Sequence, residues 1–157
     1  RAGEREAGRS GGKLWSVFAT ACDVSEERYL KLIVARLATY LQIPGYGEAL
    51  VNVNGWDMET LHAFRRAPIV ANMTGAIDSV ASYTELADIE QLIPEHWRPA
   101  AVGDAKTCAQ RWLDQITAGA DGIIIHASTP EEFAPVLAEY EKIRPKELFA
   151  GRTNRPG

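Results

Sequence analysis

The sequence predicts a parallel α/β fold, and three observations carry the prediction. Short apolar runs at 13–22, 100–103 and 120–127 are each followed by a capped, amphipathic helical segment. None of these runs alternates apolar with polar residues, as a strand with one face in water would. The composition, 46% hydrophobic and 24% charged over 157 residues, supplies a packed core in a chain of single-domain length.

The elements follow in order. Residues 1–8 (RAGEREAG) are charged and small and lead into Arg9-Ser10-Gly11-Gly12, which reads as a helix C-terminus entering a loop. An opening inside a helix, with no initiator Met, points to a chain cut from a larger fold. The run 13–22 (KLWSVFATAC) has no helical stripe and reads as a buried strand ending at Asp23. Asp23 is the expected N-cap of the next helix, with Glu26 as its capping-box acid and Glu27 near the positive end of the dipole. That helix spans 24–42, sets Leu30, Ile33, Val34, Leu37 and Leu41 on one face, and stops before Pro44.

Residues 44–97 are less regular, with PGYG at 44–47, NVNGWD at 52–57 and two helical stretches near 58–72 and 75–92. Their Gly, Asn and aromatic content suits a long excursion over one face of a sheet. Regularity returns at the short strand 100–103, followed by Asp104 as N-cap. Cys108, Trp112 and Ile116 then recur at four-residue intervals, and Gly119 stands where a helix ends. The continuous apolar run 120–127 (ADGIIIHA) reads as a strand buried on both faces. Thr129, Pro130 and Glu132 supply N-cap, first-turn proline and capping-box acid for a last helix reaching 143, with Pro135 either kinking it or lying within its first turns. The tail 145–157 is expected to fray. Three β/α units leave a sheet edge of buried-type side chains, so further strands are expected from sequence outside this chain or from a second copy.

Several function classes are excluded. A net charge of −4, a pI near 5.4 and the lack of a Lys/Arg cluster leave no footprint for nucleic acid. No apolar run approaches the roughly 20 residues of a membrane helix, and no signal-peptide pattern opens the chain. A soluble, cytoplasmic protein is expected. Cys22 and Cys108 lack CxxC spacing and His partners, so neither a disulfide framework nor a metal site is implied.

In parallel β/α folds reactive groups sit at the C-terminal ends of strands. This rule selects Thr20 and Cys22 after the first strand, Gly103 with Asp104 after the second, and His126 after the third. His126 is the best single candidate, able to donate to a cofactor or act as an acid or base near neutral pH. An equal reading has its ring simply bonding a neighbouring loop. Cys22 reads as a packed thiol, since no base is near it in sequence. The PGYG glycines lack Walker spacing and read as a helix-terminating turn rather than a phosphate cradle. Tyr46 and Trp56 could wall a ring-shaped substrate, although core packing explains them as well. His62 and His96 read as surface residues. The pairs Glu26-Glu27 and Glu131-Glu132 are accounted for by helix starts.

Two segments, ATYLQIPGYGEAL and then IPEHWRPAAVGDAKTCAQRWLDQITAGADGIIIHASTPEEFAPVLAEYEKIRP, carry a resemblance covering most of 14–145. Their order and spacing resemble the C-terminal half of luciferase-like (LLM class) oxidoreductases, in particular the coenzyme F420-dependent branch. Residues 102–109 (VGDAKTCA) match the shape of the family segment that precedes the helix before the last barrel strand, and GADGIIIH is similar to its eighth strand. The resemblance implies the C-terminal portion of a TIM (β/α)8 barrel over 1–157, with F420, or FMN in sister groups, at the top of the barrel. The implied reaction is hydride transfer between deazaflavin and a small organic substrate, the protein supplying orientation and electrostatics. Thr20, Cys22, Gly103 and His126 are then candidate cofactor contacts, and Tyr46 and Trp56 candidate substrate contacts.

A whole barrel needs roughly 250 residues. This chain is therefore expected to be inactive alone and to partner its missing N-terminal half. The alternatives are an FMN-dependent monooxygenase, or a non-catalytic half-barrel that dimerises over its open edge.

Overall fold

A computed structural model of the chain describes residues 2–98 and 100–150. Three parallel strands, β1 (Trp15–Cys22), β2 (Ala101–Gly103) and β3 (Gly122–His126), form one sheet in the order β2-β1-β3. Helices cover both faces, so the chain is an α/β fold. Its parallel strands and flanking helices are those the sequence predicts. β1 pairs with β3 from Trp15 opposite Gly122 to Ala19 opposite His126, and with β2 from Thr20 opposite Ala101 to Cys22 opposite Gly103. The longer strands, β1 and β3, are thus neighbours, and the three-residue β2 sits at the far edge of β1.

The helices are α1 (Ala2–Glu6), α2 (Glu26–Tyr29), α3 (Ala35–Gln42), α4 (Tyr46–Asn54), α5 (Met58–Arg66), α6 (Pro68–Ala71), α7 (Ile77–Val80), α8 (Tyr83–Glu90), α9 (Ala105–Thr117) and α10 (Pro130–Ile143). A π-helical turn, Leu30–Val34, joins α2 to α3 without a break. The wider turn has a packing reason. Leu30 and Val34 enter the core of the 44–97 excursion, while Leu32 and Ile33 pack on Ala21 of β1. The helix is therefore held between two cores, and an extra residue in the turn lets it bury side chains in both directions.

Strand alternation separates the two faces of the sheet. Phe18 and Cys22 point into a core made with Cys108, Ala109 and Trp112 of α9 and Val136 of α10. Ala19 and Ala21 point the other way, toward Leu32 and Ile33. Three expectations are corrected. Asp23 does not cap the helix: its backbone is left-handed (φ 47°), and Ser25 is the N-cap, its hydroxyl accepting from the Arg28 amide. Asp23 is held there by its own N–H, which donates to Gly103 O at 3.0 Å and extends the β1–β2 ladder. β3 is not buried on both faces, since Ile124 is 48% exposed beside Val17 at 61%. And the PGYG turn opens a new helix: Gly45, at φ 82°, precedes α4, and Glu48 reaches back to its N–H at 2.7 Å.

The remaining signals act where they are expected. Asp104 accepts from the Thr107 amide at 2.7 Å, Gly119 follows α9 at φ 106°, and Thr129 and Glu132 close a capping box. Among the described residues no helix is long and apolar enough to cross a membrane. Of the expected fraying tail, 151–157 lie outside the described residues.

Candidate functional site

The C-terminal end of β3 brings His126 to the face of the sheet that carries Val17 and Ala19. Helix α3 crosses above that face, and between them lies a hollow of about 250 Å³. Its apolar walls come from Val17, Ala19, Leu32 and Leu37, and its aromatic walls from Tyr40 and Trp56. Its cations are Arg36 and Arg98. Apolar walls with a few convergent polar groups are the usual make-up of a small-molecule site.

Each aromatic wall is backed by another ring. Trp56 stacks on buried Trp97 with centroids 4.7 Å apart and planes 8° from parallel. Tyr40 leans on Tyr46 at 4.9 Å, and the Arg36 guanidinium lies 5.4 Å from the Tyr40 centroid, a cation–π distance. Tyr46 therefore stands behind the wall rather than in it, and Trp56 belongs both to the hollow and to the excursion core.

The cations are anchored from behind. Arg36 donates through Nη1 to Asp78 at 2.8 Å and contacts His126 Nε2 through Nη2 at 3.2 Å. Arg98 donates through Nη1 to Glu90 and to the Tyr29 hydroxyl, the latter at 2.8 Å. Burial, with the Glu90 carboxylate beside it, pushes the Tyr29 phenol above its usual range. Both Arg36 Nε and Arg98 Nε are buried without a hydrogen-bond partner. A buried unpaired donor is uncommon in a folded protein, and here two belong to arginines of one hollow. Arg98 and Ile33 also border a wider open groove of about 720 Å³ that includes His96 and Arg111.

The other candidates are placed differently. Thr20 is buried on the opposite face, where its hydroxyl accepts from Trp112 Nε1 at 3.0 Å. Cys22 and Cys108 are free, buried and share that core. Burial pushes the Cys108 thiol up to about 12, and raises that of Cys22, with Asp23 adding to the shift. Such thiols are poor nucleophiles. Gly103, at φ 123°, has its carbonyl taken by Asp23 N–H, and a Cβ there would touch Thr107. Of the candidates from the strand ends, only His126 borders the hollow. Exposed His62 lies near Glu59, at 3.6 Å, and exposed His96 meets the edge of Trp97.

Arg36, Tyr40 and Arg98 escape a sequence reading, because nothing local separates them from solvated residues of a helix or loop. The one available signal was the four-residue spacing of Arg36 and Tyr40, which puts cation and ring on the same helix face. Among the described residues no group of three or more His, Cys, Asp or Glu side chains could hold a metal ion. A comparison with models of protein families finds no match, and neither a curated protein nor a solved structure matches the chain.

Proposed function

We propose that this chain is the C-terminal part of a luciferase-like (β/α)8 oxidoreductase that binds coenzyme F420 and moves a hydride between deazaflavin and a small organic substrate. The observation that carries the reading is the hollow beside His126, with aromatic and aliphatic walls and two arginines at its margin. Such a lining suits a planar heteroaromatic ring with polar atoms along one edge. Ligand clefts usually exceed about 300 Å³, so this volume suits the ring alone. The adjoining groove, with Arg98, Arg111 and His96, suits the anionic tail that F420 and FMN share.

In this reading Tyr40 and Trp56 flank the ring, while His126, Arg36 and Arg98 serve its polar edge. When bound, the deazaflavin supplies two-electron hydride chemistry. The chain's own residues orient the ring and keep water from one side of it. Consecutive barrel strands stand side by side. In the barrel reading β1 and β3 are therefore the consecutive pair, and β2 is an accessory at the far edge of β1.

The purified chain is mixed with F420 or with FMN and passed through a sizing column. Co-elution of the deazaflavin absorbance, lost in Trp56→Ala, is the expected result. Retention of FMN without F420 transfers the proposal to the FMN monooxygenase branch. Retention of neither overturns cofactor binding by this chain.

A second reading, a non-catalytic half-barrel that dimerises, is favoured by one observation. Trp15, Val17 and Ile124 form an exposed apolar row on the same sheet face as the hollow. Such rows mark surfaces that bind a partner. A stable dimer in sedimentation that retains no cofactor supports this reading over the first.

A further inference from the structure

We infer that Arg36 acts as a positioning residue that fixes the tautomer of His126, so that the imidazole offers the hollow a donor, Nδ1–H, and not an acceptor. The inference rests on the proposed site but not on the identity of its ligand.

The argument begins with the chemistry of the pair. A guanidinium has five N–H donors and no acceptor. Its Nη2 lies 3.2 Å from His126 Nε2. A hydrogen bond at that contact requires a lone pair on Nε2, and a neutral imidazole with a lone pair on Nε2 carries its proton on Nδ1. A free histidine side chain prefers the opposite form, with the proton on Nε2. The arginine thus selects the minor tautomer.

Arg36 can impose this because it is itself fixed. Asp78 holds Nη1 at 2.8 Å, and the Tyr40 ring lies against the guanidinium. Asp78 is placed in turn by its backbone N–H, which donates to buried Thr39 Oγ1 at 2.8 Å, one turn along the same helix. The chain of contacts Thr39–Asp78–Arg36–His126 connects the helix, the excursion and the end of β3. Its last member has one ring nitrogen engaged. No described residue bonds the other, Nδ1. A ligand in this hollow is therefore selected for an acceptor at that position, such as a carbonyl oxygen or an unprotonated ring nitrogen.

Histidine 15N resonances distinguish the tautomers directly, and the chain has three histidines to assign. His126→Gln identifies the signal by its loss. In mildly alkaline buffer the wild-type chain is expected to show a protonated Nδ1 and a bare Nε2 for His126. His62 and His96 serve as internal references. Arg36→Met should move His126 toward the Nε2–H form, and Arg36→Lys, which keeps charge but loses the planar fork, should move it part of the way. A wild-type His126 with its proton on Nε2 overturns the inference whatever the variants do, so a poorly folded variant leaves it falsifiable. The outcome is separate from cofactor binding. An Nδ1–H form in a chain that retains no F420 or FMN sinks the proposed function alone, and bound cofactor over an Nε2–H ring sinks this inference alone.

Discussion

Arg28 grips Glu132 with two parallel hydrogen bonds, Nε to Oε1 at 2.6 Å and Nη2 to Oε2 at 2.8 Å, and so ties the first turn of the helix after β1 to the first turn of α10. The same Nη2 donates to Ala127 O at 3.0 Å, just past His126. The pair spans 104 residues and fixes the loop that follows His126.

The charge in this fork has a definite pH signature. The Arg28 guanidinium lowers the Glu132 carboxyl from 4.5 to about 2. A depressed carboxylate stabilises the fold above its unfolded value and loses that contribution as pH falls toward the folded one. The window is therefore from about pH 4.5 down to about 2. Glu132→Gln keeps the shape and removes the charge. It should cost about 1 kcal/mol at neutral pH for a partly exposed fork and flatten the acid limb of the stability curve. Urea titrations at neutral pH and near pH 3 test both effects; an unchanged acid limb refutes the assignment.

Thr20 and Trp112 form the buried polar pair on the other face of the sheet, at 3.0 Å. Thr20→Val leaves the indole N–H without an acceptor and should cost about 1–3 kcal/mol. Trp112→Phe removes the donor and much packing besides. Because the double variant buries no unpaired group at this pair, its loss should be smaller than the sum of the single losses. A double-mutant cycle in denaturant reads the coupling, and simple additivity is the result that counts against the bond.

What could be read from the sequence divides along the range of the interactions. Asp104, the Thr129–Glu132 box and Gly119 act within a few residues, and each appears where the spacing predicts it. Asp23 did not, because a strand partner, Gly103, holds its backbone and leaves the cap to Ser25. Helix α4 was hidden by Gly45 and Gly47, residues poor in helices but suited here to its start and to close packing beneath Arg65. The site was hardest to see. Parallel strand ends were expected to gather Thr20, Cys22 and His126, but strand register turns Thr20 and Cys22 into the α9 core and leaves His126 with Arg36, 90 residues away.

Two backbone positions near the strand ends should respond to substitution in opposite directions. Ala127 has φ 66°, a left-handed conformation that costs an L-residue roughly 1–2 kcal/mol. Ala127→Gly relieves that cost and is expected to leave stability unchanged or raised, against the usual loss for Ala→Gly. Gly103 has φ 123° with Thr107 against the site of a new Cβ. Gly103→Ala should cost at least about 1 kcal/mol. Thermal midpoints of the two variants decide the matter, and a destabilised Ala127→Gly would contradict the strained geometry.

The two cysteines supply a test of burial at the end of β1. Thiol alkylation proceeds through the thiolate, so its rate follows the ionised fraction and the access of the reagent. With Cys108 pushed up to about 12, and 0% exposed, both factors suppress its reaction at neutral pH. Cys22 is raised in the same direction, for the same first cause, and is 8% exposed. The sign is definite: raising a thiol's pKa lowers its reactivity at any pH below that value. Native protein should therefore take up iodoacetamide slowly at both positions, Cys22 ahead of Cys108, and the rate should rise steeply through the urea unfolding transition. Cys108→Ser should unmask nothing at Cys22 beyond the loss of stability from a hydroxyl placed in an apolar core. Mass spectrometry of timed digests measures each site separately. Fast labelling of Cys108 in folded protein would show that the α9 core opens readily, and would remove the packing account of both thiols.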